Sequence, residues 1–457
     1  MRAAPLALAL LLVLSSLVGA TPALSTGDGP RSASASASAS APTVPPRSAA
    51  IDESVPTQVA SSTNASAATI SVLGIPDGAA TRSTLETEYV ELGSSLAFSS
   101  ATTDARLTTA TAVERIESAP SSETRQRYLL QEVSAVEQRI VALRARQRQV
   151  IAAYGRGEIT QRQLLYQLAL VDVRARELDR RRARLETLVQ STPGFSISSS
   201  RFGNIELELQ TLMGPVRGYA AAVLRGEAPS ARFFVQSGPD SVVVAVIRDG
   251  TYVREVYRGP LRQRSGGSIS LTQAVDITER AYPTVAALSL REDTLGNPDS
   301  DSTRVTVEHR RGRLIAFVDS GSKRVFKAYQ FRPLDQVATR APTSAVKDAL
   351  NLTAHRTYPG GPVRLQLNST ITGEPVDAQI TVGPAGGRSS VVGRTGEDGS
   401  LWILAPSGPY QVTAIDGSSV VVLSVDPTAT PLVYGSVTGN ATGGEPGTAT
   451  ATPTERS

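Results

Sequence analysis

Between positions 129 and 154 the apolar residues fall at Leu129, Val133, Val136, Ile140, Leu143, Val150 and Tyr154. Steps of four and three, broken once at Gln147, are the spacing of a helix with a single apolar seam. A second run, Leu164, Leu168, Val171, Ala175, Leu178, Leu185 and Val189, repeats the pattern and is broken at Arg182. Between the runs lies Gly155-Arg156-Gly157-Glu158-Ile159, whose glycines suit a helix end, and Thr160 with Gln163 forms a capping box for the next helix. So short a connector turns the second helix back along the first, which predicts an antiparallel helical hairpin over residues 121–190. A short strand and a helix near 103–118 are expected to lead into it across 69–120.

After a Ser/Gly/Pro break at 191–203 the period changes to two. Ile205, Leu207 and Leu209 alternate as in a strand, and 220–224 reads as a short helix. Residues 242–247 and 251–257 flank Arg248-Asp249-Gly250, a hairpin signature. A helix over 270–282 is stopped by Pro283, and strands follow at 304–307, 313–318 and 324–331, with Gly312 and Gly321 at their turns. Residues 204–340 therefore read as an α+β domain.

Farther on, Val363, Leu365 and Leu367 alternate, followed by Gly373-Glu374-Pro375 and by Thr395-Gly396-Glu397-Asp398-Gly399-Ser400-Leu401-Trp402. Short alternating strands joined by Gly, Asp and Pro turns predict a two-sheet, Ig-like or transthyretin-like β-sandwich over 350–432, with Trp402 and Tyr410 available for its core. At the start, Arg2, an apolar run from about 3 to 18 and Gly19-Ala20 have the form of a secretory signal peptide, residues 1–20. Ser15 and Ser16 interrupt the run and weigh against an uncleaved anchor. Residues 21–68, rich in Ser, Ala, Thr and Pro, and the tail 433–457 bury too little apolar surface to order themselves and are expected to be a disordered stalk and tail. The fold class is thus multidomain: hairpin, α+β middle region and C-terminal β-sandwich between disordered ends.

Composition narrows the chemistry. Among 457 residues there is no cysteine and there are two histidines, His309 and His355. Thiol catalysis, disulfides, Cys-type metal sites and lipoprotein acylation are excluded, and a multi-His metal centre has almost no material. Of 46 basic residues three are lysines. The hairpin holds 14 arginines against eight acids, a balance of +6, so the net +4 of the chain leaves −2 for the rest. Arg180, Arg181, Arg182 and Arg184 form the densest basic patch, a candidate contact for an anionic glycan or lipid surface. A solvated face is the blander reading, supported by acid–arginine spacings of four at Glu123–Arg127, Glu158–Arg162, Asp172–Arg176 and Glu177–Arg181. Export argues against a nucleic-acid partner.

Four of the six asparagines, Asn64, Asn351, Asn368 and Asn440, begin N-x-S/T sequons and are candidate glycosylation sites. His309 shares strand parity with Val305 and Val307 and reads as structural, because no G-x-S-x-G nucleophile accompanies it. Asp293, Asn297, Asp299 and Asp301 could offer oxygens to calcium but lack EF-hand spacing, and read as a polar loop. No phosphate loop or dinucleotide fingerprint occurs, so no cofactor and no metal is expected.

The motifs of 361–425 resemble the carboxypeptidase regulatory-like, or transthyretin-like, β-sandwich, which implies a non-catalytic spacer or adhesive module. The helix-then-meander order of 268–333, ending in Phe317-Val318-Asp319-Ser320-Gly321, resembles a PepSY-type binding module. The whole arrangement, with Ala153-Tyr154-Gly155-Arg156-Gly157-Glu158-Ile159-Thr160 at the hairpin turn, is similar to uncharacterised secreted envelope proteins of halophilic archaea. The expectation is a non-enzymatic, glycosylated protein of the cell surface or medium with a structural or interaction role. Its partner would be an envelope protein or glycan, and the mature chain would lack a transmembrane segment. The alternative is a regulatory or binding protein whose hairpin docks an envelope partner, and a hydrolase using His309 or His355 ranks behind both.

Overall fold

Strands rich in buried valine between 231 and 333, joined by one strand from residues 82–88, build an eight-stranded sheet that is covered on both faces. The computed structural model describes residues 69–263, 267–298, 300–339 and 342–433. The expected signal peptide, the stalk, Asn64, Asn440 and the tail beyond Val433 lie outside the described residues.

The elements run β1 (Arg82–Glu88), α1 (Leu92–Glu117), α2 (Ser122–Gly155), α3 (Gln161–Gln190), α4 (Ser199–Gln210), α5 (Pro215–Arg225), β2 (Ala231–Gly238), β3 (Ser241–Arg248) and β4 (Thr251–Arg258). Then come α6 (Leu271–Ala281), α7 (Pro283–Ala287), β5 (Ser289–Leu295), β6 (Ser302–His309), β7 (Gly312–Asp319) and β8 (Arg324–Pro333). The strands pair, antiparallel throughout, in the order β1-β2-β3-β4-β8-β7-β6-β5. In the β3–β4 turn Asp249 and Gly250 both have positive φ, 49° and 66°, the geometry that lets a two-residue turn match strand twist.

The helical hairpin forms as α2 and α3, with the Thr160–Gln163 capping box in place. Its seam residues are buried, but they serve two cores. Val150, Ile151, Tyr154, Leu164, Leu165 and Leu168 pack on the sheet. Leu129 to Leu143 and Val171 to Val189 pack with α4 and the end of α1. The helix expected near 103–118 begins earlier, at Leu92, where the Glu91 side chain accepts from the N–H groups of Gly93 and Ser94. The strand pattern at Ile205, Leu207 and Leu209 is overturned: these residues lie in α4. Phe202, Ile205, Leu209 and Leu212 sit at helical spacing and are buried, and Leu207 is buried too. Burial on more than one side of the helix hid the 3.6-residue period behind an apparent alternation. Pro283 does end the helix over 271–281, and it also occupies the first turn of α7.

The C-terminal β-sandwich consists of β9 (Thr343–Lys347), β10 (Leu350–His355), β11 (Pro362–Ser369), β12 (Gln379–Pro384), β13 (Ser390–Arg394), β14 (Ser400–Leu404), β15 (Tyr410–Asp416) and β16 (Ser419–Val425). Its sheets are β14-β11-β10-β9 and β13-β12-β15-β16. Val363, Leu365, Leu367 and Tyr410 fill the space between them. Trp402 does not. Leu401 and Ile403 point into the sandwich, so strand parity sends Trp402 and Leu404 out of it, onto the core of the large sheet. The loop before β11 completes the junction, because the Tyr252 hydroxyl donates to the Gly360 carbonyl at 2.9 Å. Gly360 has φ +71°, and a Cβ there would stand 2.4 Å from Phe234. Gly360→Ala is expected to lower stability by about 2–4 kcal/mol, from a left-handed side chain plus overpacking. Thermal unfolding should show the sandwich loosening from the sheet, and an unchanged single transition would refute this junction.

Candidate functional site

Charge is buried on both faces of the two central strands, β4 and β8. Along β4, Val253, Glu255 and Tyr257 face the helices, and Tyr252, Arg254 and Arg258 face the opposite side.

On the helical side Glu255 and Arg217 are fully buried, with Arg217 Nε 2.5 Å from Glu255 Oε1. Lys327, paired in register with Tyr257, is buried too, its Nζ 4.0 Å from the same oxygen. That ammonium donates to the carbonyls of Thr211 and Met213, each at 2.6 Å, and the Tyr329 hydroxyl donates to Gln210 at 3.2 Å. These carbonyls belong to the C-terminal end of α4 and the loop after it, groups that an α-helix leaves without internal partners. A cation at that end is also favoured by the helix dipole. Burial, reinforced by repulsion from Arg217, pushes the Lys327 ammonium well below the usual lysine range. Arg217 reaches past Glu255 to Gln147 Oε1, 2.6 Å away, so the polar break in the first helix seam is where α5 is tied in. Asp172 accepts from the Gly214 N–H at 2.8 Å and from Arg176 at 2.7 Å. Gly214 has no room for a side chain, since a Cβ would lie 2.0 Å from Glu255 Oε2.

The other face is different. Arg254, Arg258, Gln330 and Arg332 donate to the carbonyls of Leu73, Gly74, Ser71 and Ile70, respectively. The segment 70–74 is thereby laid across the sheet as a strap. Its remaining residue, Val72, donates to Pro431 at 2.8 Å and accepts from Val433 at 3.1 Å, a parallel bridge that joins the two ends of the described chain. Arg254 lies over the Tyr358 ring at 5.5 Å. Among the described residues none of Arg254, Arg258 and Arg332 has a carboxylate within ion-pair distance.

The basic run in α3 divides. Arg181 is buried and pairs with Glu132, which also takes Arg115 of α1. Arg182 contacts Asp179 at 2.8 Å, Glu186 at 2.9 Å and Glu206 of α4 at 3.7 Å. Arg180 pairs with Glu177, and Arg184 with Glu117 of α1 at 3.2 Å. These two border a groove between α1 and α3 together with Arg106, Glu114 and Glu177. Of the four expected pairs along the hairpin, Asp172–Arg176 is present. Glu158 instead takes Arg156, Arg162 takes Glu88, and Arg127 donates to Thr124. For Arg162 and Arg181 a tertiary acid, Glu88 or Glu132, outcompetes the ladder because it lies nearer the interior, where ion pairs gain more.

His309 is buried at the end of β6, its Nδ1 accepting from the Arg311 N–H at 3.2 Å. Burial first, then Arg332 and Arg311, hold its imidazole down to about 4. His355, half-buried on β10, is lowered by burial and by Arg364. Asp293 lies on β5 facing Arg304, and Asn297 and Ser300 donate to Asn204 of α4, so they belong to a loop docked on a helix. Asp299 lies outside the described residues, and among those described no group of three or more His, Asp or Glu is placed to hold a metal. Asn351 and Asn368 are direct partners across β10 and β11 on the outer face of the sandwich. Sequence reasoning missed Glu255, Arg217 and Lys327. Their one visible signal is a charged pair, Arg254-Glu255, inside an otherwise apolar strand.

Residues 1–229, half of the chain, match the model described as Domain of unknown function (DUF7096). The chain belongs to the DUF7096 family. Beyond that region, residues 233–338 match the Family of unknown function (DUF7094), and 341–423 match the Archaeal fibronectin-III type-like domain. No curated protein matches the chain. The β-sandwich expected from the sequence, Ig-like or transthyretin-like, is thus matched by an archaeal fibronectin-III type-like domain. The DUF7096 region ends between α5 and β2, yet its β1 pairs with β2 across that boundary along seven residues. The two matched regions thus share one sheet.

Two outcomes test this description. Glu255→Gln should cost about 3–5 kcal/mol, because it strands Arg217 and Lys327 in the interior; a loss below 1 kcal/mol in chemical denaturation would contradict the buried pair. His309 has a folded pKa below its unfolded value of 6.5, so the unfolded chain binds the extra proton. Stability should be complete above about 6.5 and fall by ~2 kcal/mol as pH drops toward 4. His309→Asn should flatten that part of the pH profile.

Proposed function

We propose that this chain is a non-enzymatic archaeal protein of the cell surface or medium, a structural or interaction unit in which the fibronectin-III-like sandwich is displayed on a rigid body. The observation that carries this reading is the archaeal fibronectin-III-like match on a sandwich clamped to the large sheet through Trp402, Leu404 and Gly360. Such a module suits an extracellular structural or interaction role, and the apolar run at 3–18 ending in Gly19-Ala20 supports export. Among the described residues no helix is long and apolar enough to cross a membrane. Asn351 and Asn368, register partners across β10 and β11, are the sequons among the described residues and support a glycosylated surface. The PepSY-like order of α6 and the strands after it also favours binding over catalysis. Membership of a halophile envelope family, the kind of organism included, belongs to the same proposal.

A second reading has its own support. Leu92, Leu96 and Leu107 of α1 and Val141 of α2 are well exposed, so the helical layer offers apolar side chains to an envelope partner. The hydrolase reading on His309 or His355 has no comparable support.

Expression of the full chain with a C-terminal tag in an archaeal host, followed by fractionation and intact mass measurement, tests the proposal. The expected result is tagged protein outside the cytoplasm, lacking residues 1–20, with glycan mass that falls in Asn351→Gln and Asn368→Gln. Cytoplasmic protein retaining Met1 would refute it. Cross-linking of intact cells that protects 121–190 in a stoichiometric complex would favour the second reading.

A further inference from the structure

Arg180 to Arg184 is the densest basic run in sequence, but in space its charges are answered, and the unanswered charge of the hairpin gathers elsewhere. Of the 14 arginines between 121 and 190, eight pair with an acid. Among the described residues Arg125, Arg127, Arg139, Arg146, Arg148 and Arg174 have no carboxylate within ion-pair distance. Three of these share one edge of the hairpin. Glu132 of α2 meets Arg181 of α3, and farther along Arg146 of α2 donates to Gln167 of α3 at 2.9 Å. In antiparallel helices that touch at those two points, the positions midway between them, Arg139 and Arg174, stand opposite one another on the same edge. Arg139, Arg146 and Arg174 are all exposed. At the far end Glu132 is shared by Arg115 and Arg181, so that point too keeps a surplus of positive charge. Partial burial, and then repulsion from Arg181, hold the Arg139 guanidinium below the usual arginine range. The acids of α1 are engaged elsewhere: Asp104 accepts from Ser100 at 3.5 Å, and Glu117 takes Arg184.

Positions 132, 139 and 146 are seven residues apart, so positive charge recurs about every 10 Å along a line of roughly 20 Å. No apolar wedge borders that line, as a membrane-seeking surface would require. Leu92, Leu96 and Leu107 lie on the side of α1 opposite its buried Phe98, Ala112 and Ile116, and Val141 lies across α2 from Arg139. An acidic protein would bring an apolar centre to its contact, and this edge has none to meet it. Gln149 and Gln167, both tied to Arg146, offer amides to neutral hydroxyls instead. An arginine fork meets a carboxylate through two parallel N–H groups. We infer that this edge binds a linear acidic polysaccharide, with its carboxylates on Arg139, Arg146 and Arg174 and its hydroxyls on the two glutamines. The inference names a partner for the proposed cell-surface interaction role and rests on that reading.

The test measures binding of the purified full chain to polygalacturonate by titration calorimetry, beside neutral dextran, polyglutamate and vesicles of phosphatidylcholine with phosphatidylglycerol. The expected result is binding to polygalacturonate and not to dextran, weakening as salt rises because a polyanion releases counterions on binding. The variant Arg139→Gln/Arg146→Gln/Arg174→Gln should keep a native circular dichroism spectrum and bind about tenfold more weakly, or worse, through three lost charge contacts. The matched variant Arg127→Gln/Arg148→Gln/Arg180→Gln removes the same charge from other exposed positions and should bind like the unchanged protein. No binding of polygalacturonate, or equal losses in the two variants, would overturn the proposal. Tighter binding of polyglutamate would point to an acidic protein, and tighter binding of vesicles to a membrane; either overturns the polysaccharide assignment. Because the readout is binding by purified protein, its failure strikes this inference alone, whereas cytoplasmic retention of the chain strikes the exported role.

Discussion

Glu255 lies at the centre of the sheet with Arg217 Nε 2.5 Å from its carboxylate and the Lys327 ammonium at the edge of ion-pair distance. Three charges buried together are stable only while each has its partners, and those partners come from four separate places: α2, the α4–α5 connection, α5 and the two central strands. Gln147 must be where the helix seam breaks, and Gly214 must lack a side chain. The last carbonyls of α4 must point at Lys327. Removing one member leaves the others charged in an apolar surround. The helical layer and the sheet are consequently not two modules in contact but one body fixed by this cluster.

The opposite face solves a related problem by different means. Arg254, Arg258 and Arg332 donate to backbone carbonyls of the strap at 70–74, and the strap is closed by its bridge to 431–433. Arginine suits this role because its planar fork donates several hydrogen bonds at fixed angles and stays charged when buried, whereas lysine loses its proton more readily. The abundance of arginine, which as a sum of charges resembles a polyanion surface, thus divides among interior cross-links, strap anchors and paired surface residues. Arg181 and Arg182 show the same principle in the hairpin: adjacent in sequence, one meets Glu132 of α2 and the other Glu206 of α4.

Much of the architecture was legible beforehand. The hairpin, its capping box, the Asp249-Gly250 turn, the β6–β8 meander and the sandwich all follow from local periods and turn chemistry, which depend on near neighbours in the chain. The α4 assignment failed because a helix buried on more than one side presents no clean 3.6-residue stripe. Trp402 is available to the sandwich core by the usual preference of aromatic residues, and nothing local shows that its strand has cores on both sides. The ion pairs were least legible. Spacing of four residues predicts contacts along one helix, while Glu88, Glu117, Glu132 and Glu206 compete from other elements.

By itself, then, the sequence determined most of the helices and strands, α4 excepted, and which chemistries are absent, since cysteine and a set of histidines cannot be supplied by folding. Local backbone preference and hydrophobic period carry that information within ten or twenty residues. Tertiary structure decided that β1 and β2, over 140 residues apart in sequence, are neighbours in one sheet. It also decided that the sandwich is anchored through the outer face of β14 and that buried arginines hold the strap. Those outcomes depend on which surfaces meet, and burial sets the strength of each charge contact only after they have met.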